Sequence, residues 1–295
     1  MAEPLLKVKN LRQHFKISRS FTVKAVDGVS FEVHAGETYG LVGESGSGKT
    51  TIGRSIIRLY DPTGGEVFFD GKKISGKLDG ETEKMLRQNM QMIFQDPMSS
   101  LNPRKKIGYI IAEGLDIHRM YSGAKERKAL VGAILKKVGL SPAHAERYPQ
   151  QFSGGQRQRV GIARALVMNP KLIIADECIS ALDVSIQAQV VNLMKDIQAE
   201  TNCAYLFIAH DLSMVKYISD RIGVLHKGRL VETGLTREIF SNPVHPYTKS
   251  LLSAVPQPNP TVERRRKLIP FEADEISGDG EIVRVSETHF VLENF

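Results

Sequence analysis

The octet Gly43-Glu44-Ser45-Gly46-Ser47-Gly48-Lys49-Thr50 decides the fold class of this chain. It matches the pattern GxxxxGK[ST] of a phosphate-binding loop at every fixed position. A short apolar strand, Tyr39-Gly40-Leu41-Val42, precedes the octet, and helical spacing follows it from Thr51 to Tyr60. The octet therefore lies where a phosphate loop has to lie, between the end of a strand and the start of a helix.

The residue types in this loop suit a nucleoside triphosphate. Its glycines let backbone N–H groups turn inward around the phosphates, and the positive end of the following helix points at them. Lys49 supplies a positive charge to the β- and γ-phosphates, while the Thr50 hydroxyl can bind Mg²⁺. We therefore predict that the octet and the next residue, Thr51, bind ATP together with Mg²⁺.

A pair of carboxylates follows a second apolar strand. Leu172-Ile173-Ile174-Ala175 leads directly into Asp176-Glu177. A buried strand with this ending places both acids at the carboxyl edge of a sheet, where α/β proteins bind ligands. An acidic pair alone more often caps a helix, but with a phosphate loop upstream Asp176 is predicted to hold Mg²⁺ and Glu177 to polarise an attacking water.

The remaining pattern predicts a P-loop α/β fold with an antiparallel β subdomain and a helical insertion. Residues 5–42 alternate apolar and polar positions, which predicts strands with turns at Asp27-Gly28 and Ala35-Gly36-Glu37. Residues 105–168 have helical character, and 171–226 return to strand–helix alternation. From Pro256 onward the chain is rich in proline and polar residues, so we expect an appendage with modest structure.

Composition limits the class of protein and the cellular compartment to be expected. Hydrophobic residues make up 41% and charged residues 25% of the 295 residues, as in ordinary globular domains. No apolar stretch reaches the roughly 18 residues that a membrane helix needs, and the N-terminus lacks the layout of a secretion signal. Two separated cysteines indicate a reducing compartment. We therefore expect the chain to remain in the cytoplasm.

A second glycine-containing motif resembles that of a known protein family. Phe152-Ser153-Gly154-Gly155-Gln156, followed by Arg157-Gln158-Arg159, resembles the signature motif of ABC ATPases. Serine and glycines that open a helix make a second anion-binding N-terminus. A domain with one phosphate loop needs no second one for the same nucleotide. The resemblance implies that Ser153, Gly154, Gly155 and Gln156 contact the γ-phosphate held by another subunit, so that ATP joins a head-to-tail dimer.

Other landmarks of the ABC ATPases follow in the expected order. Gln95 resembles the glutamine that contacts Mg²⁺ and reports the state of the site to the helical insertion. Ser180-Ala181-Leu182-Asp183 resembles the D-loop, in which Asp183 approaches the opposite site. His210 resembles the switch histidine that hydrogen-bonds the γ-phosphate, although a lone histidine is more often structural. Phe21 is the candidate for stacking on adenine, with Phe15 as the alternative.

Two phrases resemble the oligopeptide/dipeptide importer ATPases, of the second ATPase-subunit type. They are residues 95–103, QDPMSSLNP, and residues 245–256, HPYTKSLLSAVP. The resemblance implies an ATPase domain over 1–255 with a helical insertion at about 96–168, and an oligopeptide-transporter extension over 256–295. It further implies a second ABC ATPase subunit, two membrane-spanning permeases received by the insertion, and an external peptide-binding protein. The chain would then lie peripherally on the cytoplasmic face of the membrane.

Two departures from the family matter. Its usual proline after the catalytic glutamate is Cys178 here, which removes a rigid turn and adds a thiol near the nucleotide. Many relatives also carry a cysteine cluster for an iron–sulfur centre in the extension, but this chain has no cysteine after Cys203. An iron–sulfur centre is therefore not expected.

Three other functional classes compete with a peptide importer. A net charge of +7 suits an ABC ATPase that acts on nucleic acid, but the basic residues are dispersed, and the densest run, residues 264–267, has the character of a solvated tail. The chain has a single compact ATPase cassette, unlike the ABC ATPases that act in DNA repair and translation, so no nucleic-acid partner is expected. A P-loop kinase or GTPase would lack the signature and D-loop. An exporter is disfavoured because the permease would have to be a separate chain.

Overall fold

The computed structural model describes residues 3–180, 182–256, 263–264, 266–271 and 280–293. Its strands are β1 Leu6–Lys16, β2 Thr22–Val33, β3 Thr38–Val42, β4 Gly64–Phe69, β5 Lys72–Lys73, β6 Met90–Ile93, β7 Leu172–Asp176, β8 Ala204–Ile208, β9 Arg221–His226, β10 Arg229–Leu235, β11 Glu281–Arg284 and β12 Phe290–Glu293. Its α-helices are α1 Lys49–Ile56, α2 Gly80–Asn89, α3 Pro97–Ser100, α4 Ile107–His118, α5 Ala124–Lys137, α6 Gly154–Leu166, α7 Val184–Thr201, α8 Leu212–Ile218, α9 Thr236–Ser241 and α10 Pro246–Ser253. Two short 3₁₀ helices cover Pro142–Glu146 and Pro149–Gln151.

Contacts divide the chain into two units with interleaved segments. The first unit comprises residues up to Leu5, then Val33–Glu37 and Phe69–Leu206. The second comprises Leu6–Glu32, Thr38–Phe68 and the chain from Phe207 onward. The sequence analysis predicted a domain boundary between residues 255 and 256. That boundary divides the chain in sequence order and differs from the division into two units, because each unit is assembled from segments that are distant in the sequence.

In the second unit, a buried strand leads into the phosphate loop. All five residues of β3 are buried, as in strands covered on both faces. β3 pairs in parallel with β9, with Tyr39 opposite Arg221 and Val42 opposite Val224. The sheet continues from β9 through β10 and β12 to β11, and these three pairings are antiparallel. A separate sheet of this unit has β1 between β2 and β4.

In the first unit, two parallel strands support the acidic pair. β6 pairs with β7, with Met90 opposite Leu172 and Ile93 opposite Ala175. Every residue of β7 is buried, so its apolar run is that of a central parallel strand.

Helices fill the chain between β6 and β7. α4 packs against α5 and α6, and Asp116 of α4 forms a two-bonded ion pair with Arg127 of α5, each bond 2.6 Å long. Such bidentate pairs fix the relative position of two helices better than a single contact does. No helix among the described residues has the length and hydrophobicity that a bilayer crossing requires.

Three local expectations differ from the structure. β2 continues through the predicted turn at Asp27-Gly28, because Gly28 takes a positive φ of 86° and absorbs the irregularity within the strand. α1 ends at Ile56 instead of Tyr60. The segment expected to have modest structure contains the hairpin of β11 and β12, which pairs with β10.

Candidate functional site

The phosphate loop closes around the side chain of Lys49. Its ammonium donates hydrogen bonds to the carbonyl oxygens of Gly43, at 2.8 Å, and Glu44, at 2.7 Å. It also lies 3.4 Å from the Ser47 hydroxyl, and only 4% of the residue is exposed. A buried ammonium needs such partners to offset its lost hydration. The loop thus holds one fixed positive charge at the N-terminus of α1.

Two glycines are required by close backbone approaches. A Cβ atom at Gly43 would lie 2.2 Å from the carbonyl oxygen of Leu225, and one at Gly48 would lie 2.2 Å from that of Ala25. Gly48 also has φ 106° as the residue that caps α1. The sequence predicted glycines that admit phosphates; in the structure these two also let the loop pack against neighbouring backbone.

Further bonds support the loop from outside. The N–H of Gly228, in the turn after β9, donates to the carbonyl of Ser47 at 2.9 Å. The N–H of Glu44 donates to the Tyr247 hydroxyl at 3.0 Å. Sequence reasoning missed both contacts, since they join segments about 180 and 203 residues away.

The acidic pair ends β7 as predicted. Asp176 is the last residue of the strand and is 1% exposed, whereas Glu177 is half-buried. Glu177 has φ 44°, the left-handed region that non-glycine residues rarely adopt outside turns and functional sites. The Gln95 amide donates to Oε2 of Glu177 at 2.8 Å. Two residues predicted to act in one site are therefore in direct contact.

Cys178 lies inside the turn that follows Glu177. The N–H of Ser180 donates to the carbonyl of Glu177 at 3.1 Å, which makes Cys178 the second residue of a four-residue turn. Its side chain is buried, and burial raises the pKa of the thiol to about 12. The thiol is therefore protonated and unreactive at neutral pH.

We expect Cys178→Pro to fold and to hydrolyse ATP at least as fast as the wild type. The second position of a turn favours proline, whose ring fixes φ near −65° and removes freedom from the unfolded chain. Thermal unfolding and phosphate release test the variant, with Cys203→Ala as a control for the loss of a buried thiol. A loss of activity greater than about tenfold would mean that the left-handed Glu177 cannot precede proline here.

The glycine pair of the signature opens α6 as predicted. Ser153 caps the helix by accepting from the N–H of Gln156 at 3.3 Å, and the Gln156 side chain accepts from the N–H of Ser153 at 3.1 Å. This reciprocal pair is a capping box, which sequence reasoning did not anticipate. Ser153 and Gly154 are exposed, so this helix start is accessible. Gly155 faces α7, where a Cβ atom would lie 2.7 Å from the Ile186 side chain.

The remaining predicted residues occupy loops and strand ends. Asp183 is exposed and precedes α7, while Ala181 of the same phrase lies outside the described residues. His210 is exposed between β8 and α8. Phe15 packs edge-on against Tyr60 with ring centres 5.4 Å apart, whereas Phe21 is 58% exposed. An accessible aromatic face is therefore offered by Phe21.

The predicted residues divide between the two units. The second unit contains the phosphate loop with Thr51, Phe21 and His210. The first contains Gln95, the acidic pair, the signature residues 153–156 and Asp183.

Comparison with known families matches two regions of the chain. A family described as ABC transporter matches residues 26–180. A family described as the C-terminal region of oligopeptide/dipeptide transporters matches residues 231–278, which include the HPYT phrase quoted above.

Curated relatives align over nearly the whole chain. The oligopeptide transport ATP-binding protein OppF of Bacillus subtilis is 57% identical over 296 residues, covering 99% of this chain and 97% of its own. The dipeptide transport ATP-binding protein DppF of Lactococcus lactis is 54% identical, covering 99% and 95%.

Solved ATP-binding cassettes share the fold. The dimeric cassette MJ0796, bound to ADP and Pi, has a TM-score of 0.71 and 31% identity over 79% of this chain and 99% of its own. CbiO1 from Clostridium perfringens, part of the transporter complex cbiONQ, has a TM-score of 0.71 and 26% identity over 82% and 92%. The predicted fold class is thus confirmed, and the chain belongs to the ATP-binding subunits of ABC transporters, within the oligopeptide/dipeptide transporter family.

Proposed function

We propose that the chain binds and hydrolyses ATP as a subunit of an ABC importer that takes up oligopeptides across the cytoplasmic membrane. The phosphate loop carries this proposal: Lys49 is held between two loop carbonyls at the start of α1, ready to exchange them for phosphate oxygens. The peptide cargo rests on the relatives, whose names specify oligopeptide or dipeptide transport.

The proposed nucleotide contacts follow the loop. Residues 43–48 surround the phosphates, Lys49 neutralises the β- and γ-phosphates, and the N–H groups of Thr50 and Thr51 contribute at the helix start. Phe21 is proposed to stack on adenine because its ring is accessible. His210, exposed at the end of β8, is proposed to hydrogen-bond the γ-phosphate.

The chain's oxygen donors fit Mg²⁺. Thr50 offers a hydroxyl, Gln95 an amide oxygen and Asp176 a carboxylate that is 1% exposed. These are hard ligands of the kind that Mg²⁺ prefers, and bound Mg²⁺ would neutralise charge on the phosphates.

Glu177 is proposed to orient and polarise the attacking water. Its Oε2 accepts a hydrogen bond from the Gln95 amide at 2.8 Å, which helps to orient the carboxylate. Gln95 thus acts as a positioning residue for the base. This contact also gives the helical insertion, which begins next to Gln95, a direct connection to the hydrolytic group.

We propose that two such subunits close head to tail around ATP. The capped and exposed N-terminus of α6, with Ser153 and Gly154, is suited to a γ-phosphate held by another chain. Asp183, exposed before α7, is proposed to approach the same partner. The partner is proposed to be a related ATPase subunit, because the chain resembles the second ATPase-subunit type of the peptide importers.

The other proposed partners are two permeases and, indirectly, an external peptide-binding protein. The helices within about residues 96–150 of the insertion are proposed to receive the permeases. The chain would thereby be held peripherally at the cytoplasmic face of the membrane.

Reconstitution tests the proposed transport. Vesicles containing the two co-encoded permeases, this chain and its partner ATPase should accumulate a labelled tetrapeptide when ATP and the binding protein are present. ADP in place of ATP, or a labelled free amino acid in place of the peptide, should give no accumulation. Persistent ATP hydrolysis without uptake of any peptide between two and eight residues would refute the cargo and leave the ATPase standing.

A further inference from the structure

We propose that Tyr247 positions the phosphate loop, so that the HPYT segment of the C-terminal region forms part of the nucleotide site. This inference rests on the proposed binding of ATP at residues 43–51. Tyr247 is distant from the loop in the sequence, and the sequence motifs alone assign it no role in nucleotide binding.

The peptide unit that joins Gly43 to Glu44 is held on both sides. Its N–H, that of Glu44, donates to the Tyr247 hydroxyl at 3.0 Å, and its carbonyl, that of Gly43, accepts from the Lys49 ammonium at 2.8 Å. The Glu44 backbone makes the bond to Tyr247, and the Glu44 side chain is exposed. When Lys49 turns to phosphate, the bond to Tyr247 remains to fix this peptide.

The Tyr247 ring has little freedom to move. Only 1% of the residue is exposed. The ring of His226, at the end of β9, lies 4.2 Å from it between centres, and Phe271 packs edge-on at 5.2 Å. Burial lowers the pKa of His226, so a neutral imidazole packs against the tyrosine. A ring enclosed in this way aims its hydroxyl at one point.

The backbone that carries the ring is also anchored. His245 caps α10, and its Nδ1 accepts from the N–H of Tyr247 at 3.1 Å. The N–H groups of Val244 and His245 donate to the buried Glu232 carboxylate at 2.8 and 3.1 Å. Glu232 also lies 2.7 Å from Nε2 of His289, in the C-terminal hairpin. The position of the hydroxyl is thus fixed by β10 and the hairpin together.

The chemistry of the contact is that of a neutral hydrogen bond. Burial raises the pKa of Tyr247 to about 12, so the hydroxyl keeps its proton throughout the pH range of an assay. Tyr247 contacts the backbone of the loop, whereas the residue proposed to act on the attacking water is Glu177. Loss of the Tyr247 contact should therefore weaken nucleotide binding and leave the hydrolytic step unchanged.

Tyr247→Phe tests the inference because it removes one oxygen and keeps the ring. The Glu44 N–H then loses its partner, and we expect the Kd for ATP and for ADP to rise about five- to twentyfold. The rate at saturating ATP, measured with the partner subunits, should stay within about twofold. Tyr205→Phe is the matched control: its buried hydroxyl has no hydrogen-bond partner among the described residues, so its removal should change neither quantity.

A second measurement covers the case of a poorly folded variant. Hydrogen exchange of the nucleotide-free full chain should become faster in peptides that contain residues 43–48 and stay unchanged in peptides from β7. Unchanged exchange there, or unchanged nucleotide affinity, would overturn the inference. A fall in the saturated rate without loss of affinity would overturn it equally.

The Lys49→Ala variant separates this inference from the function on which it rests. If Lys49→Ala loses nucleotide and Tyr247→Phe binds as the wild type does, only the role of Tyr247 fails. If Lys49→Ala itself binds as tightly as the wild type, the loop is not the nucleotide site and the proposed function fails with the inference.

Discussion

Glu177→Gln is expected to slow ATP hydrolysis by about 10² to 10⁴ while ATP binding is retained, because a general base typically contributes that much to the rate. Glutamine has the shape of glutamate, and its carbonyl oxygen can still accept the bond that Gln95 donates at 2.8 Å. The backbone of residue 177, with φ 44°, need not change. The variant therefore removes the negative charge that is proposed to polarise water and changes little else.

The consequence for assembly is an accumulated dimer. ATP would persist between the phosphate loop of this chain and the signature of the partner, so a transient pair should become long-lived. Size-exclusion chromatography with ATP and Mg²⁺, run beside phosphate release on the mixed subunits, measures both effects. Glu200→Gln provides a control, because that carboxylate forms an exposed ion pair with Lys137 at 2.7 Å. A Glu177→Gln subunit that turns over ATP at the wild-type rate would remove Glu177 from the mechanism.

The nucleotide loop could be predicted from the sequence because its signal is local. Eight consecutive residues between a strand and a helix carry the pattern, and the fold around them follows from strand-like and helical spacing. Gln95 and Glu177 are different. They are 82 residues apart, and only a resemblance to a family suggested that they act together. The structure supplies the bond that joins them.

The C-terminal region could not be predicted in the same way. Proline-rich residues after 256 suggested little structure, yet β12 pairs with β10, with Glu232 opposite Val291. That pairing buries Glu232 against His289, a contact between residues 57 positions apart. No local sequence pattern predicts a buried carboxylate with an imidazole partner, because a glutamate or a histidine taken alone is expected at the surface.

Tyr247 shows the same limit at the site itself. The phrase that contains it marked the transporter family, but no spacing rule connects it with Glu44, 203 residues earlier. The sequence also could not show the second reason for two loop glycines. Gly43 and Gly48 match the phosphate-loop pattern, but the close approach of Leu225 and Ala25 to them arises from tertiary packing.

Lys49→Ala is expected to abolish nucleotide binding at this loop, with a rise in the Kd for ATP of about 100-fold or more, since charge-assisted contacts to phosphate are each worth about 1.5–3 kcal/mol. In the structure the Lys49 ammonium is bonded to the carbonyls of Gly43 and Glu44, and the residue is 4% exposed. Alanine removes both the charge and the group that closes the loop. No ATP-dependent dimer should then form, in contrast to Glu177→Gln.

The measurement is the shift of the unfolding temperature by ATP, because a ligand stabilises only a protein that binds it. The wild type and Glu177→Gln should both gain stability from ATP, and Lys49→Ala should gain none at the same concentration. Lys49→Arg separates charge from shape: it keeps the positive charge but replaces the compact ammonium, which bonds the Gly43 and Glu44 carbonyls, with a planar guanidinium, so we expect it also to lose most of the shift. Full retention of the shift in Lys49→Arg would mean that charge alone holds the phosphates. Its full retention in Lys49→Ala would mean that the loop is not the nucleotide site.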